Sequence, residues 1–196
     1  NKLRDVFFTI TSLQALITLS EKLILHGLRD VTIQLKIDTG LRRQGILTDE
    51  IDQAISLIKN NSSLQLNGVC SHFADADSAG SEYTGTQIRL WNEIVAKLKK
   101  NKDELPDLEY FHVSNSAGHA FEGSIDATVS RLGIGLYGID SSSTLLNRIS
   151  QRPVLSVTTL VSSIKTIPAR QAVGYNGTFT STKPMTLGTI PMGYFE

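Results

Sequence analysis

Residues 31–70 read VTIQLKIDTGLRRQGILTDEIDQAISLIKNNSSLQLNGVC, and this stretch decides the fold class. It opens and closes with apolar, β-rich runs at 31–37 and 66–70, and a helical pattern lies between them. Thr48 or Asp49 can cap that helix, whose apolar side consists of Ile51, Ala54, Ile55 and Ile58. A strand, a helix and a strand in succession predict a right-handed βαβ unit and therefore a parallel sheet.

The same alternation extends on both sides of this unit, from residue 5 to about residue 138. Upstream, residues 6–10 predict a strand, and Ser12 and Gly27 are placed to begin and end the helix that follows. Downstream, the pattern predicts a long helix around 87–100, a strand at 110–113, a short helix from Ser116 and a further strand at 129–136. These elements predict an α/β domain.

The pattern changes after the polar stretch at 140–143, beyond which no further amphipathic helix is found. Residues 153–161 and 185–192 alternate like half-buried strands, and Gly, Asn and Pro turns separate them. We therefore predict two domains, an α/β part at 1–149 and an all-β part at 150–196.

The composition excludes several classes of function. The 196 residues carry 19 basic and 19 acidic side chains, so the chain lacks the basic excess of a nucleic-acid binder. Cys70 is the single cysteine, which excludes an intramolecular disulfide and suits a reducing compartment. No apolar run approaches the ~18 residues of a membrane span, and no signal peptide is recognisable. We expect a cytoplasmic protein with no nucleic-acid, membrane or metal partner.

The two ends suggest a piece of a longer protein, because the chain starts at Asn1 without an initiator Met and stops directly after a strand-like run.

Polar and charged residues follow the predicted strands, where the working residues of parallel α/β folds collect. They are Lys36 and Asp38, then His72, then Asn115 and Ser116, and later Arg131 and Gly133. Each has a structural alternative: a snorkelling or ion-paired lysine, a hydrogen-bonded core histidine, a helix cap, or glycines that allow close packing. Their joint occurrence at successive strand ends favours an anion-binding active site.

Five motif segments, and the strand that follows the last of them, are similar in order to the bacterial alanine racemases. Residues 36–45 resemble K-x-D-T-G-x-x-R-x-G, residues 71–77 resemble S-H-F-A-x-A-D, and residues 112–117 resemble H-x-x-N-S-A. Residues 131–138 resemble R-x-G-I-x-x-Y-G, residues 173–179 resemble V-G-Y-G-x-T-[WYF], and residues 188–194 resemble the strand that follows. The motifs cover nearly the whole chain.

The resemblance implies an isomerase that uses pyridoxal 5′-phosphate (PLP) and two bases to interconvert L- and D-alanine, which supplies D-alanine for peptidoglycan. It implies a partial PLP-binding (β/α)8 TIM barrel followed by the start of a C-terminal β domain. It also implies a homodimer in which each active site combines the barrel of one subunit with the β domain of the other.

Carried over position by position, the resemblance assigns roles to individual residues. Arg131 would face the pyridine nitrogen of PLP, and Arg43 would reach its phenolic oxygen and the substrate carboxylate. Lys36 would carry a carbamate that orients Arg43. Tyr175 would be a catalytic base that also contacts substrate, in a hydrogen-bonded chain with His72 and Arg131. The residues expected to bind the cofactor are Arg43, His72, Asn115, Ser116, Arg131, Gly133 and Ile134, with Ser116 and the backbone of the last two on the phosphate.

Some features depart from the family. The chain contains no V-x-K-A-x-A-Y-G-H-G segment, which carries the cofactor-bearing lysine, so we expect this chain alone to be inactive. Asn176 replaces a frequent glycine, and residues 194–196 replace Y-A-D. A serine or broad-specificity racemase and a non-catalytic PLP-binding barrel remain alternatives, and a PLP-dependent decarboxylase is disfavoured. Tyr175 could also be a turn tyrosine that is hydrogen-bonded locally.

Overall fold

The computed structural model describes residues 6–140 and 151–193, and the chain divides into two compact units, 1–154 and 155–196. The predicted domain boundary near residue 150 falls within 141–150, outside the described residues, and it stays a prediction. The predicted departures at 194–196 also lie outside them.

The first unit is built on a four-stranded sheet in the order β1-β2-β3-β4, with all neighbouring strands parallel. The strands are β1 (Phe8–Ile10), β2 (Val31–Lys36), β3 (Leu64–Cys70) and β4 (Tyr110–His112). They alternate with the helices α1 (Leu13–His26), α2 (Ile51–Lys59) and α3 (Glu82–Lys100). Short 3-10 turns lie at Thr48–Glu50, Lys102–Glu104, Ala117–Ser124 and Ile134–Tyr137. The predicted parallel α/β arrangement is confirmed.

The ends of α1 follow the predicted capping chemistry. The Ser12 hydroxyl accepts the Ala15 N–H at 3.1 Å, and Gly27 ends the helix with a φ of 62°. The predicted helix α2 is confirmed with its four apolar residues buried, but the predicted cap is wrong, because neither Thr48 nor Asp49 caps it with its side chain. Instead, the Glu50 carboxylate accepts the Leu47 N–H at 2.8 Å and closes a 3-10 turn before the helix.

One face of the sheet packs against the helices and forms the core. Leu35, Val69 and Phe111 come from neighbouring strands and are buried there, together with Trp91 of α3. The register of β2 against β3 shifts by one residue, because Ile33 pairs with Leu66 whereas Gln34 pairs with Gly68.

Asn67 is therefore an extra residue in β3, which we call the β3 bulge. It places Leu66 and Val69 on the same buried face although they are three positions apart. In a regular strand, residues at that spacing point to opposite faces.

The predicted strand at 129–136 is wrong. The segment runs irregularly past β4 and ends in the 3-10 turn Ile134–Tyr137. Val129 N–H and Arg131 N–H still donate to the Phe111 and Ser114 carbonyls, at 3.2 and 3.1 Å, but Gly133 and Gly135 N–H donate to the Ser116 hydroxyl and not to a strand. Because those donors are taken, this segment cannot form the hydrogen-bond ladder of a strand.

The second unit contains two antiparallel pairs. Strand β5 (Ser163–Ile167) pairs with β8 (Met185–Thr189), and β6 (Ala172–Val173) pairs with β7 (Phe179–Thr180). The predicted strand at 185–192 is confirmed as far as Thr189. The predicted strand at 153–161 is wrong, because within 151–193 its side chains are exposed and no strand pairs with it.

None of the helices in the described part of the chain has both the length and the apolar character needed to cross a membrane.

Candidate functional site

The last side chains of β2, β3 and β4 lie in one row. They are on the face of the sheet opposite the helices, which we call the open face. Lys36 of β2 pairs with Cys70 of β3, and Cys70 pairs with His112 of β4. Burial raises the pKa of the Cys70 thiol, and the charges of Arg131 and Lys36 oppose that rise. The row therefore sets a lysine, a protonated thiol and an imidazole side by side.

Arg131 ties the ends of β3 and β4 together. One guanidinium nitrogen donates to the carbonyl of His112 at 2.9 Å and to Nδ1 of the same residue. The other donates to the Ser71 carbonyl at 2.7 Å, and it lies 3.1 Å from Nδ1 of His72. Arginine has N–H donors only, so both imidazole nitrogens must accept. A half-buried arginine thus joins two histidines from neighbouring strand ends.

The contact with Arg131 determines the tautomer of His112. Because Nδ1 accepts from the guanidinium, the ring proton lies on Nε2, which is 2.9 Å from the Gln34 amide oxygen. Burial, with a smaller contribution from Arg131, lowers the His112 pKa to about 4. His112 is therefore a neutral ring at pH 7.

Gly68 allows the contact between Gln34 and His112, because it lies between them on β3. A Cβ atom at Gly68 would meet Cβ of Tyr110 at 3.0 Å and Cδ of Gln34 at 3.1 Å. The glycine leaves room for the Gln34 side chain to pass over the middle strand.

Three cations act on His72. Burial lowers its pKa first, and Arg131, Arg43 and Lys36 lower it further by charge repulsion. Within 6–140 and 151–193, no carboxylate forms an ion pair with Lys36, Arg43 or Arg131. The structural alternative of an ion-paired Lys36 is therefore not met among the described residues, and that of a snorkelling lysine stays a prediction. The positive charge at this end of the sheet is suited to an anionic ligand.

The loop after β2 carries Arg43 and is closed by backbone hydrogen bonds. Asp38 N–H donates to the Ile46 carbonyl at 2.9 Å, and Ile46 N–H donates to the Lys36 carbonyl at 2.8 Å. The buried Asp38 carboxylate accepts the N–H groups of Gly40 and Arg42, at 2.9 and 3.1 Å. Asp38 is thus engaged with its own loop, and the Arg43 side chain is exposed.

The Ser116 hydroxyl accepts hydrogen bonds from two backbone N–H groups. This buried hydroxyl accepts the N–H of Gly133 at 2.9 Å and that of Gly135 at 3.1 Å. Ile134, between them, is exposed. Asn115 has a different contact: its side-chain oxygen accepts the Gly118 N–H at 2.8 Å, so it caps the short helix as the structural alternative predicts. A hydroxyl beside two N–H donors has the chemistry of a phosphate site.

Tyr175 belongs to the second unit, so it is described apart from the others. It begins a tight turn between β6 and β7, and the backbone of Asn176 after it has a φ of 60°. The Tyr175 side chain is 91% exposed and makes no hydrogen bond to another described residue. That exposure contradicts the alternative of a turn tyrosine held locally.

Two residues in the first unit were not predicted as part of the site, namely His112 and Gln34. His112 stands in the predicted motif at 112–117 and directly ends a strand, which is the position that signalled the other candidates. Gln34 gives no sequence signal of its own, because its contact with His112 depends on the glycine between the two strands.

Two family profiles match the chain. The profile described as "Alanine racemase, N-terminal domain" matches residues 2–141, and that described as "Alanine racemase, C-terminal domain" matches residues 154–196. The alanine racemase of Ligilactobacillus salivarius is 30% identical over 195 residues, which are 98% of this chain and 51% of that protein. The chain thus spans about half the length of the curated relatives it matches.

Solved structures of racemases are also similar to this chain. An alanine racemase from Clostridium difficile 630 is 28% identical with a TM-score of 0.65, over 95% of this chain and 48% of that one. A histidine racemase from Leuconostoc mesenteroides subsp. sake is 27% identical with a TM-score of 0.59, over 95% and 49%. The predicted fold class, a partial α/β barrel followed by the start of a β domain, is confirmed. On the match of both profiles, the chain belongs to the alanine racemase family.

Proposed function

We propose that the protein, at its natural length, is a PLP-dependent racemase that interconverts L- and D-alanine. The observation that carries this proposal is the pair of contacts at the strand ends: Arg131 donating to two histidines, and Ser116 facing two glycine N–H groups. Relatives with the name alanine racemase at about 30% identity support the choice of substrate.

The residues present fit the cofactor. A phosphate needs several donors at one point. The Ser116 oxygen accepts from Gly133 and Gly135, so the proton of the hydroxyl is left to donate to a phosphate, and the backbone of Gly133 and Ile134 would supply the further contacts. There is space beside Ser116 and Gly133, because a Cβ atom at Gly133 would meet nothing nearer than the Ser116 hydroxyl at 3.9 Å. Among the solved alanine racemases, the one from Bartonella henselae is described with covalently bound pyridoxal phosphate.

When bound, PLP supplies the electron sink that makes the α-proton of an amino acid acidic. The side chains of this protein bind and orient the cofactor and the substrate and move the proton. Arg131 is held by groups of the strand ends on Ser71, His72, His112 and Val113, so it would offer a fixed cation to the pyridine nitrogen of a bound cofactor. Arg43, on its closed loop, binds anionic groups of cofactor and substrate.

His72 and Tyr175 handle the proton. Because Nδ1 of His72 accepts from Arg131, its proton lies on Nε2, the nitrogen that is free to bond a phenolic oxygen. A free tyrosine titrates near pH 10, so Tyr175 needs donors and cations that favour phenolate. His72 with its cationic surroundings offers both, and Tyr175 then serves as one of the two bases that racemisation requires.

Lys36 carries a carbamate in this proposal. Lys36 and Arg43 both act as cations on the same imidazole, and no described carboxylate compensates Lys36. A carbamate would convert that repulsive pair into an attractive one and would orient Arg43. Carbon-13 NMR of protein equilibrated with labelled bicarbonate would detect the group, and a Lys36→Gln variant controls for the assignment.

The test of the activity uses the protein at its natural length, loaded with PLP. The kcat/KM for racemisation of L- and D-alanine, obtained from circular dichroism rates over a range of substrate concentrations, should exceed that for serine and lysine. Tyr175→Phe and Arg131→Gln should each abolish most of the activity. A folded protein that binds PLP and racemises none of these amino acids would reject the proposal.

Substrate choice has a second candidate, a racemase of another or a broader range of amino acids. The observation in its favour is the similarity to a histidine racemase of the same fold. Including histidine in the substrate panel distinguishes the two, because a histidine racemase would show its highest kcat/KM on that substrate.

The cellular setting follows from the activity. We propose a bacterial, cytoplasmic homodimer that supplies D-alanine for the peptidoglycan of the cell wall, with Tyr175 of each subunit acting in the active site of the other. The exposed Tyr175 turn supports this sharing, because its side chain is free to contact another subunit. Size-exclusion chromatography with light scattering tests the dimer.

A further inference from the structure

The amide of Gln87 is a fully buried polar group on the inner side of α3. Its oxygen accepts the Ala74 N–H at 2.9 Å, and its nitrogen donates to the His72 carbonyl at 3.1 Å and to the Thr39 hydroxyl at 3.2 Å. Both N–H groups are thus used, and the oxygen is used once. A buried amide with three partners of this kind is a fixed element of the structure rather than a solvated side chain.

These partners belong to two different loops. Thr39 lies in the loop after β2, which carries Arg43, whereas His72 and Ala74 lie in the loop after β3. The Thr39 hydroxyl also lies 2.7 Å from the hydroxyl of Ser71, which joins the two loops directly. Gln87 therefore links the loop of Arg43 to the loop of His72.

A second residue of α3, one turn earlier, holds the same loop. The Tyr83 hydroxyl donates to the Gly40 carbonyl at 2.6 Å. Gly40 has a φ of 149°, and a Cβ atom there would meet the Tyr83 hydroxyl at 2.9 Å and the Gln87 side chain at 3.3 Å. The N-terminal half of α3 thus contacts the loop after β2 through two side chains one turn apart, Tyr83 and Gln87.

The backbone around His72 is held from two sides. Gln87 binds the His72 carbonyl and the Ala74 N–H, and the Arg131 guanidinium binds the Ser71 carbonyl at 2.7 Å. With the peptide groups on both sides of His72 fixed, its Cα–Cβ bond is held in a direction from which Nδ1 reaches Arg131 at 3.1 Å. Loss of the Gln87 contacts would free one of these two restraints.

We propose that Gln87 is a positioning residue for His72, which sets the imidazole against Arg131 through the His72 carbonyl and the Ala74 N–H. It touches no cofactor or substrate and acts through the loop. This role deepens the proposed racemase function and rests on it for its effect on catalysis. Its effect on the histidine itself does not depend on the activity.

The test compares Gln87→Leu and Gln87→Glu with Asn92→Leu in the natural-length protein. Asn92 is a matched control, because it is an amide on the same helix that donates to the Ser124 carbonyl at 2.9 Å and accepts the Asp126 N–H at 2.8 Å, away from His72. Gln87→Glu keeps the volume and the acceptor for Ala74 but not the amide that binds both Thr39 and His72, and it serves for the kinetics only, since a carboxylate would act on the His72 pKa by its charge. Thr39→Val, which retains Gln87, tests the link between the loops should Gln87→Leu fail to fold.

The first readout is the ring nitrogen NMR of His72, assigned with a His72→Gln variant. Gln87→Leu should move the His72 pKa up, because a ring that turns away from Arg131 loses both the burial and the cationic neighbour that lower this pKa. Asn92→Leu should leave it unchanged. An unchanged His72 signal in Gln87→Leu, or an equal change in Asn92→Leu, would overturn the proposal.

The second readout is the kinetics on alanine. The Gln87 variants should lower kcat by about ten- to a hundredfold with little change in KM, as expected for a misplaced proton-transfer group. If wild-type protein shows no racemisation while His72 responds to Gln87, the proposed function fails and the positioning role stands. If racemisation is present and kcat is equal in wild type and Gln87→Glu, the positioning role fails.

Discussion

The guanidinium of Arg131 donates to Nδ1 of His112, and this direction of donation leaves the ring proton on Nε2. The proton then bonds the Gln34 amide oxygen at 2.9 Å. A second proton on the ring would have to face the arginine, which offers no acceptor. The pair is therefore a cation beside a ring that must stay neutral.

We predict that stability falls as the pH is lowered from about 6.5 towards 4. The His112 pKa is about 4 in the folded protein, and an unfolded histidine titrates near 6.5, so the unfolded state binds the extra proton across this window. The loss should reach roughly 2 kcal/mol, allowing for solvent screening of a half-buried ring. Urea unfolding at pH 7, 6, 5 and 4 measures it.

His112→Gln is the control, because it removes the titrating ring. The slope between pH 6.5 and 4 should become shallower in this variant, since His72, whose pKa is also lowered, still contributes to it. Equal slopes in the two proteins would contradict the assignment to His112.

Gly45 should be intolerant of any side chain. Its φ is 142°, and a Cβ atom there would lie 2.5 Å from the Asp38 nitrogen and 2.8 Å from the Ile37 carbonyl carbon. Because both are backbone atoms of the loop that carries Arg43, they cannot move aside cheaply. Gly45→Ala should lower the free energy of unfolding by about 3 kcal/mol or more.

Gly27→Ala is the matched comparison for Gly45→Ala. Gly27 also has a positive φ, of 62°, but a Cβ atom there meets nothing within 4 Å, so the cost should be only about 1 kcal/mol. Thermal unfolding of both variants checks the difference. Equal shifts in Tm would show that conformational strain, and not contact with the backbone of the loop, determines the cost.

Ser116→Ala should weaken cofactor binding more than it weakens the fold. The change removes the hydroxyl that collects the N–H groups of Gly133 and Gly135, and hydrogen bonds to a charged phosphate are worth about 1.5–3 kcal/mol. The Kd for PLP, measured by fluorescence quenching, should rise about tenfold or more. Ser130→Ala, an exposed serine nearby in sequence, should leave the Kd unchanged.

Mixed dimers test whether Tyr175 acts between subunits. Natural-length Tyr175→Phe and Arg131→Gln proteins, each inactive, are co-refolded or co-expressed with different tags. If each site combines two subunits, activity should return to about a quarter of the wild-type value, because half of the dimers are mixed and each has one intact site. Either variant mixed with the double variant should remain inactive, and so should the first mixture if each site lies within one subunit.

Local sequence signals predicted the regular elements of the first unit well. For α1, a serine hydroxyl and a glycine at the two ends are sufficient, since both act on backbone groups a few residues away. The start of α3 was predicted at Gln87, yet the helix begins at Glu82, because the hydroxyl of Ser81 caps it by accepting the Thr84 N–H.

The wrong strand at 129–136 has a long-range cause. Its glycine N–H groups bind the Ser116 hydroxyl, which stands 17 and 19 positions away, and no local propensity contains that information. In the second unit, the alternation at 153–161 predicts a strand, but a strand forms only when a partner pairs with it, and sequence periodicity does not supply the partner.

For the site, the sequence pattern predicted which side chains gather at the strand ends but not how they connect. Arg131 and His72 were expected together, whereas the chain of contacts through His112 to Gln34 depends on the register of three strands and on the absence of a side chain at Gly68. Contacts of this kind follow from pairing, which a single sequence does not display.

The β3 bulge determines where this protein can change its length during evolution. Deleting Asn67 would leave a regular strand in which Gln34 still pairs with Gly68, so the side chains of the site keep their face. Deleting one residue between Gly68 and Cys70 would instead move the side chains at the end of the strand to the opposite face. The side chains that now lie on the open face would then be buried. Relatives that differ in the length of this strand should therefore differ at the bulge. In relatives without the bulge, the residues that correspond to Leu66 and Val69 should be two positions apart.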